Sequence, residues 1–579
     1  MSGFTAIFSK NNFTNRINTK KKFPNENLNN FIQNKISTPN FYIEQYTVAK
    51  FTNEKILEED DQVVISTDGV LLNLNELKTT QKVNSVFTLI KSLYNSKGER
   101  FVNELRGDFS GIIYDKTSNK CFVFTNHTGS KRIFYAQHGD YFICSSDLNE
   151  ITHLMDVLKI KKNLNEYASY FLLTCGFMLD EHTLVNEVKR LNAGCYLIFQ
   201  DNKIRIENYF HLRNIKKTTD NKTQIINSID ELFNNAVRLQ YEKDLEYGYK
   251  HTATLSGGLD SRMTILTAHK LGYKEQMNFT FSHKGYLEER IAKNITEKYK
   301  FDYKFISLGN GSFLKEIDAN VNINDGLISY SGAAHAFDSI KQIDFKEYGI
   351  IHTGLIGDAV IGSFLSAPYA QKPKITDGMY STKLVDKIKD VLFDITKKFD
   401  NEELYKFYSR GFLGAMNGNY TFDLISQAVS PFLDVDFLSY CYSIPENLKY
   451  KQQIYLDWIR EKHKEFAKFP WEKTGISPLK SNSKIKYLHI EYYHRMSMKL
   501  INKTSGKLLS GMNPFDLWLK KNNALASYIE QYFHEHIVLL NDNRELQNDC
   551  IKLFHTGNAG EKFQVLTLLS AIKLHRIDS

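Results

Sequence analysis

Thr252-Ala253-Thr254-Leu255-Ser256-Gly257-Gly258-Leu259-Asp260-Ser261 reads as a short β-type run, a Ser-Gly-Gly turn and the start of a helix. The pattern predicts a strand over 252–255 and a helix from Arg262 to Leu271, with Gly272 as its stop. A strand followed by a glycine turn and a helix N-terminus gathers unpaired backbone N–H groups around one concavity, where the positive end of the helix dipole also points. Such a site suits phosphate oxygens, and glycines without Cβ atoms let a phosphate approach the main chain closely. The hydroxyls of Ser256 and Ser261 can donate to phosphate, whereas Asp260 can face pyrophosphate only through a cation, which points to Mg²⁺. The Gly-Lys-Ser/Thr ending of a Walker A loop is absent.

Working outward, the same strand–helix alternation continues. Met277 to Phe281 reads as a strand, Leu287, Ile291 and Ile295 mark one helix face, and Tyr303 to Leu308 reads as another strand. This alternation predicts a doubly wound parallel sheet, and the chain beyond about residue 400 reads as mainly helical. Upstream, Ile225, Ile226, Ile229, Leu232, Phe233 and Val237 recur at helical spacing. The polar, aperiodic stretch 211–224 is the expected linker between a domain over 1–210 and one over 225–579. The first half carries short strand-like runs such as 111–114, 121–124 and 141–144, separated by turn residues.

Composition bounds the alternatives. With 579 residues, 42% hydrophobic and 13% aromatic, the chain has material for more than one buried core. Its 74 Lys and Arg against 66 Asp and Glu give a mild charge of +8, which suits an anionic substrate without requiring nucleic acid. Six scattered cysteines without a CxxC pair predict buried thiols in a reducing compartment, and no leader pattern or membrane-length apolar run is present. The expected location is the cytoplasm. The apolar run 170–179 predicts a buried helix, the Asn- and Lys-rich stretch 12–40 a surface excursion, and 480–507 an amphipathic helix with a solvated basic face.

The Ser256–Ser261 string resembles the asparagine synthetase family of N-type ATP pyrophosphatases, which includes β-lactam synthetases and lasso-peptide cyclases. The resemblance covers nearly the whole chain. Arg106-Gly107-Asp108-Phe109-Ser110-Gly111 is similar to the family's Gly-Asp-Phe strand, followed in order by stretches at 126–132, 144–147 and 190–194. Thr353-Gly354-Leu355-Ile356-Gly357-Asp358 resembles the second nucleotide motif, and 431–434 and 471–475 resemble later family segments. The resemblance implies an α/β chain: an N-terminal Ntn-hydrolase-like α+β glutaminase-type domain and a C-terminal doubly wound ATP pyrophosphatase domain with helical additions. It implies ATP and Mg²⁺ as cofactors. Leu255, Ser256, Gly257, Gly258, Asp260 and Ser261 would hold the nucleotide, with Thr353 and Gly354 near AMP. Asp260 and Asp358 would hold the metal, and Lys473 would stabilise transition-state charge. Asp325, Tyr330, Ser331 and His335 fall in the segment that shapes the family's acceptor pocket.

The departures shift the expected activity. Ser2 stands where glutamine-hydrolysing members have a nucleophilic cysteine, Asp68 where an oxyanion-hole asparagine is usual, and no Arg-Gly-Pro-Asp segment occurs over 42–62. Ser2 and Asp108 therefore read as vestiges of a degenerate glutaminase site. Leu355 and Ala359 replace acidic or tyrosyl residues of the second motif. The leading expectation is an amide-forming ligase that adenylates a small-molecule or peptide carboxylate, producing AMP and pyrophosphate, and passes it to ammonia or a substrate amine. A separate ammonia source and a homodimer stay open. The alternatives are a glutamine-dependent amidotransferase using Ser2 or a partner glutaminase, and a non-catalytic nucleotide-binding protein.

Overall fold

The computed structural model describes residues 2–9, 31–480, 496 and 511–578. Among the described residues the N-terminal part carries twelve strands: β1 (Gly3–Ser9), β2 (Phe31–Ser37), β3 (Phe41–Val48), β4 (Leu57–Glu59), β5 (Val63–Leu71), β6 (Gly107–Asp115), β7 (Lys120–Thr125), β8 (Phe134–His138), β9 (Tyr141–Ser145), β10 (Lys189–Arg190), β11 (Cys195–Gln200) and β12 (Lys203–Asn208). They form two six-stranded antiparallel sheets, ordered β10-β8-β9-β1-β3-β2 and β12-β11-β7-β6-β5-β4.

Strict alternation along the strands stacks these sheets face to face. Phe4, Ala6, Phe8, Val64, Ile112, Tyr114 and Val123 fill the space between them. The intervening residues point outward: Ile65, Ile113 and Phe122 pack under α1 (Leu74–Gln81) and α2 (Val86–Lys97). Ile7, Phe134 and Ile143 pack under α3 (Leu148–Val157) and α4 (Glu166–Cys175). The result is a four-layer helix–sheet–sheet–helix sandwich. α4 takes up 170–175 of the run 170–179 expected to be a buried helix, starting four residues earlier and stopping at Gly176, and Ala168 to Cys175 are all buried.

One expectation changes here. Residues 31–37 of the supposed surface excursion form β2, an edge strand fully registered on β3, because Ile36 has Ile43 opposite it and adds to the sheet core. Residues 12–30 lie outside the described residues, as do 481–495 and 497–507 of the expected basic helix.

The C-terminal part opens with α5 (Lys222–Glu246) and β13 (Lys250–Thr254), continues through α6 (Asp260–Lys270), β14 (Gln276–Ser282), α7 (Leu287–Tyr299), β15 (Asp302–Ser307), α8 (Ile317–Asn324) and α9 (Ser331–Ile340), and reaches β16 (Tyr348–His352) and β17 (Ala428–Val429). All five strands are parallel in the order β15-β14-β13-β16-β17. Ala253, Leu255, Met263, Ile291 and the α5 stripe Ile225, Ile229, Phe233 cover one face. Met277, Phe279, Ile306, Phe337, Ile340 and Ile351 cover the other. The doubly wound sheet predicted from periodicity is present, with each boundary within two residues of its expected place.

The two parts are fastened by buried charges and by shared apolar clusters. Lys243 on α5 pairs with Glu54 at 2.7 Å, Arg132 with Asp325 at 3.2 Å, and Lys131 with Asp423 at 3.2 Å. The C-terminal helix Ala559–His575 is apolar around most of its circumference and enters the same cluster as α3, α4 and α8. The stretch 211–224 is strapped down: Leu212 is fully buried, His211 stacks on Tyr408 at 4.3 Å, and Thr218 N–H donates to Ser443 O at 2.9 Å.

Candidate functional site

The Ser256–Ser261 turn runs from the C-terminal end of β13 to the first turn of α6. Its serines organise it. Ser261 Oγ accepts the Ser256 N–H at 2.9 Å and lies 3.0 Å from Ser256 Oγ, which accepts the Gly258 N–H at 3.2 Å. The turn borders a cavity of about 330 Å³ lined by Leu255, Ser256, Gly258, Asp260, Ser261, Thr353, Gly354 and Leu355, with Phe279, Phe281 and Phe422 as apolar walls. That volume and mixed lining suit a nucleotide-sized ligand.

The second motif closes directly onto the first. A Cβ on Gly354 would lie 2.3 Å from the Ser261 backbone nitrogen, and one on Gly357 would lie 2.8 Å from Asp260 Cγ, so only glycine fits at either place. Between them Ile356 adopts a left-handed φ of 52°, a conformation that a β-branched residue takes only when its surroundings impose it. This turn brings the Asp358 N–H to Asp260 Oδ2 at 2.9 Å, while Tyr455 donates to Asp260 Oδ1 at 2.8 Å. Burial, reinforced by the facing Asp358, pushes the Asp260 carboxyl up to about 8. Lys473, half-buried with its Nζ 5.3 Å over the Trp471 ring, opposes that rise electrostatically. Asp260 and Asp358, both half-buried and joined through this bond, fit a divalent cation, which would let both stay ionised.

Three further residues complete this site, and two of them, Arg262 and Glu288, carry no signal in the linear sequence. Arg262 on α6 is almost fully buried, and its guanidinium donates to the carbonyls of Gly257 at 3.3 Å, Phe469 at 3.2 Å and Pro470 at 2.6 Å. It ties the Ser256–Ser261 loop to the segment that bears Lys473. Glu288 on α7 lines the cavity and accepts the Gly257 N–H at 3.4 Å. Burial and the neighbouring Glu472 push Glu288 up to about 8. Glu472 donates its own N–H to Gly257 O at 3.1 Å and accepts the Tyr286 hydroxyl.

The four residues expected around an acceptor pocket separate. His335 lines the cavity, with its ring held neutral by burial, which lowers it to about 4. Ser331 is buried and pairs with Ser329 at 3.1 Å, outside the cavity lining. Tyr330 points into the core, where its hydroxyl donates to Leu314 O at 3.0 Å. Asp325 is spent on the interdomain pair with Arg132 and on the Asn149 amide at 2.7 Å. Neither Asp325 nor Tyr330 lines the cavity, because both sit where α8 and α9 pack against the N-terminal part.

At the N-terminal end, Ser2 is buried and donates to Asp68 Oδ1 at 2.6 Å, while Lys131 approaches Asp68 Oδ2 at 3.7 Å. The space beside them, lined also by Ser110, Arg132, Tyr420 and Asp423, is about 10 Å³. Asp108 lies in a neighbouring cavity of about 50 Å³ between the two parts, where burial raises it to about 7 and Asn126 donates to it at 3.3 Å. Asn419 lines both that cavity and the one at the Ser256 loop. Among the described residues no helix is long and apolar enough to cross a membrane. All six cysteines are buried and unbridged.

Residues 47–210 match the glutamine amidotransferase domain family, and residues 228–380 match the asparagine synthase family. A Methanocaldococcus jannaschii protein bearing the provisional name asparagine synthetase 2 (glutamine-hydrolysing) is 26% identical over 327 residues, covering 54% of this chain and 62% of that one. Asparagine synthetase 2 (glutamine-hydrolysing) of Bacillus subtilis is 28% identical over 246 residues, covering 39% and 31%. Asparagine synthetase B (glutamine-hydrolysing) of Escherichia coli is 24% identical over 208 residues, covering 34% and 31%. The chain thus spans 62% or less of the length of these relatives. With both family domains matched in order, and with the glycine loop and the Thr353–Asp358 turn meeting at one cavity, the chain belongs to the asparagine synthetase family.

Proposed function

We propose that this chain is an ATP-dependent carbon–nitrogen ligase that adenylates a carboxylate, releases pyrophosphate, and passes the acyl group to ammonia or a substrate amine. The observation that carries this reading is the contact of Asp260 with the Asp358 turn beside the Ser256–Ser261 loop. Asp260 and Asp358 would hold Mg²⁺, which when bound neutralises phosphate charge. The loop amides and serine hydroxyls bind and orient the β- and γ-phosphates of ATP, and Lys473 stabilises the charge that grows as a carboxylate oxygen attacks the α-phosphorus. The phenylalanine walls exclude water from the acyl-adenylate, whose carbonyl the nitrogen then attacks with loss of AMP.

Ammonia or an amine, rather than glutamine hydrolysed by this chain, is favoured by the N-terminal geometry. The Ser2 hydroxyl is engaged by a carboxylate at 2.6 Å and the adjoining space of about 10 Å³ cannot admit a glutamine side chain. Asp68 at that place would also repel a developing oxyanion. The test is ATP–pyrophosphate exchange by the full chain across a panel of carboxylic acids, with ammonium and with amines as acceptors. Exchange that depends on one acid class is expected. Its absence with every acid, together with unchanged nucleotide binding by Asp260→Ala, refutes the reading.

A further inference from the structure

β13 and β16 carry the two motifs that meet at the nucleotide cavity, yet their pairing is not regular. Lys250 pairs with Tyr348 and Thr252 with Ile351, so two steps on β13 face three on β16. The extra residue makes a bulge at Gly349 and Ile350, three residues before Thr353. A bulge re-aims the strand that leaves it, and it also leaves backbone groups without ladder partners.

One side chain takes those groups and both strands together. Asp244, fully buried near the C-terminal end of α5, accepts the Ile350 N–H at 2.7 Å through Oδ1. Its Oδ2 lies 2.9 Å from His251 Nδ1 on β13 and 2.8 Å from His352 Nε2 on β16. Tyr241, one turn earlier on α5, stacks on the His352 ring at 3.8 Å and fixes its plane. A Cβ at residue 349 would lie 2.2 Å from Asp244 Oδ1, so the bulge fits the carboxylate only because glycine stands there. Ser426 holds the Gly349 carbonyl at 2.6 Å from the opposite side. His352 immediately precedes Thr353-Gly354, and His251 lies five residues before Ser256.

We infer that Asp244 is a positioning residue for the nucleotide site: it holds the β16 bulge and, through His251 and His352, sets the alignment at which the Thr353–Asp358 turn meets the Ser256–Ser261 loop. The tolerance is small, since Gly354 is in backbone contact with Ser261, and a slip of one residue would move the turn off the loop. The nucleotide part of this inference rests on the function proposed above; the bulge part does not.

The three ligand-type atoms also lie within 4.8 Å of one another, the spacing of a metal site. The hydrogen-bonded assignment is preferred because His352 Nδ1 is buried without a partner. A metal-bound imidazole would carry a proton there and need an acceptor.

The test compares wild type, Asp244→Asn and Asp244→Leu as full chains. Asparagine keeps the Ile350 bond and can donate to His251, but donating to His352 as well would put a proton on the partnerless Nδ1, so it is an intermediate case; leucine fills the space and makes none of the three bonds. Binding of the non-hydrolysable analogue AMPCPP with Mg²⁺ is expected to weaken at least tenfold in Asp244→Leu and by clearly less in Asp244→Asn. Hydrogen exchange over 348–355 is expected to quicken in Asp244→Leu only. If Asp244→Leu does not fold, His352→Leu serves, with a smaller loss on both measures. Unchanged exchange over 348–355 in a folded leucine variant overturns the inference. So does a stoichiometric metal in the wild type that Asp244→Asn loses. Wild type that binds no AMPCPP, yet shows the exchange difference, refutes the ATP reading and retains the bulge.

Discussion

The backbone N–H of Asp358 donates to the Asp260 carboxylate at 2.9 Å, joining the second motif to the first across 98 residues of chain. The same bond joins the second motif to Asp260, which lines the cavity and whose carboxyl is raised by burial and by the facing Asp358. The expected result is that Asp260→Asn and Asp358→Asn each lower acid-dependent ATP–pyrophosphate exchange by at least about 10²-fold, and Lys473→Met by about 10²–10³-fold, as loss of a transition-state charge partner does. Exchange rates at saturating ATP check this. Loss confined to the KM for ATP would instead assign these residues to ground-state binding.

Glu288 gives a pH signature. Burial and Glu472 raise it from the ordinary 4.5 to about 8, so between those values the folded chain holds a proton that the unfolded chain releases. Its contribution favours folding most below the ordinary value, and it falls away as pH rises towards about 8. The thermal midpoint of wild type minus that of Glu288→Gln is expected to fall over this window. A flat difference curve contradicts the assignment.

Arg262 is expected to be the most sensitive position on α6. Its guanidinium satisfies carbonyls of Gly257, Phe466, Phe469 and Pro470, and it is 1% exposed. Arg262→Met keeps the bulk but strands those carbonyls, at a cost of about 3 kcal/mol. Thermal melts should show the loss, and Mg–AMPCPP binding should weaken with it because Gly257 is released.

Lys243 and Glu54 form the most enclosed of the interdomain ion pairs, with side chains 2% and 0% exposed. Lys243→Met leaves a buried carboxylate unpaired and should destabilise by about 3–5 kcal/mol, whereas Lys243→Met with Glu54→Leu should recover most of it. A double-mutant cycle by denaturant unfolding reads this coupling. Near-additive losses would mean that the pair contributes little to holding the two parts together.

Much of this protein is determined over short distances in its sequence. The strand–turn–helix of 252–271 follows from β-type residues, two glycines and a helical stripe in immediate succession, and the parallel sheet follows from the repeat of that scheme. Asp260 and the two loop serines were legible for the same reason: their roles depend on neighbours in the chain. Tertiary structure alone decided which distant groups complete the site. Glu288 meets Gly257 across 31 residues and Arg262 meets Pro470 across 208, and neither shows any periodicity that marks it. Asp325 and Tyr330 share a segment with His335, yet helix packing turns the first two into the interdomain core and only His335 towards the cavity. Periodicity reports that a face is buried; which partner buries it is set by the summed packing of segments far apart in the chain. For that reason the loop could be read from the sequence, whereas the carboxylates, the arginine and the strand bulge around it could not.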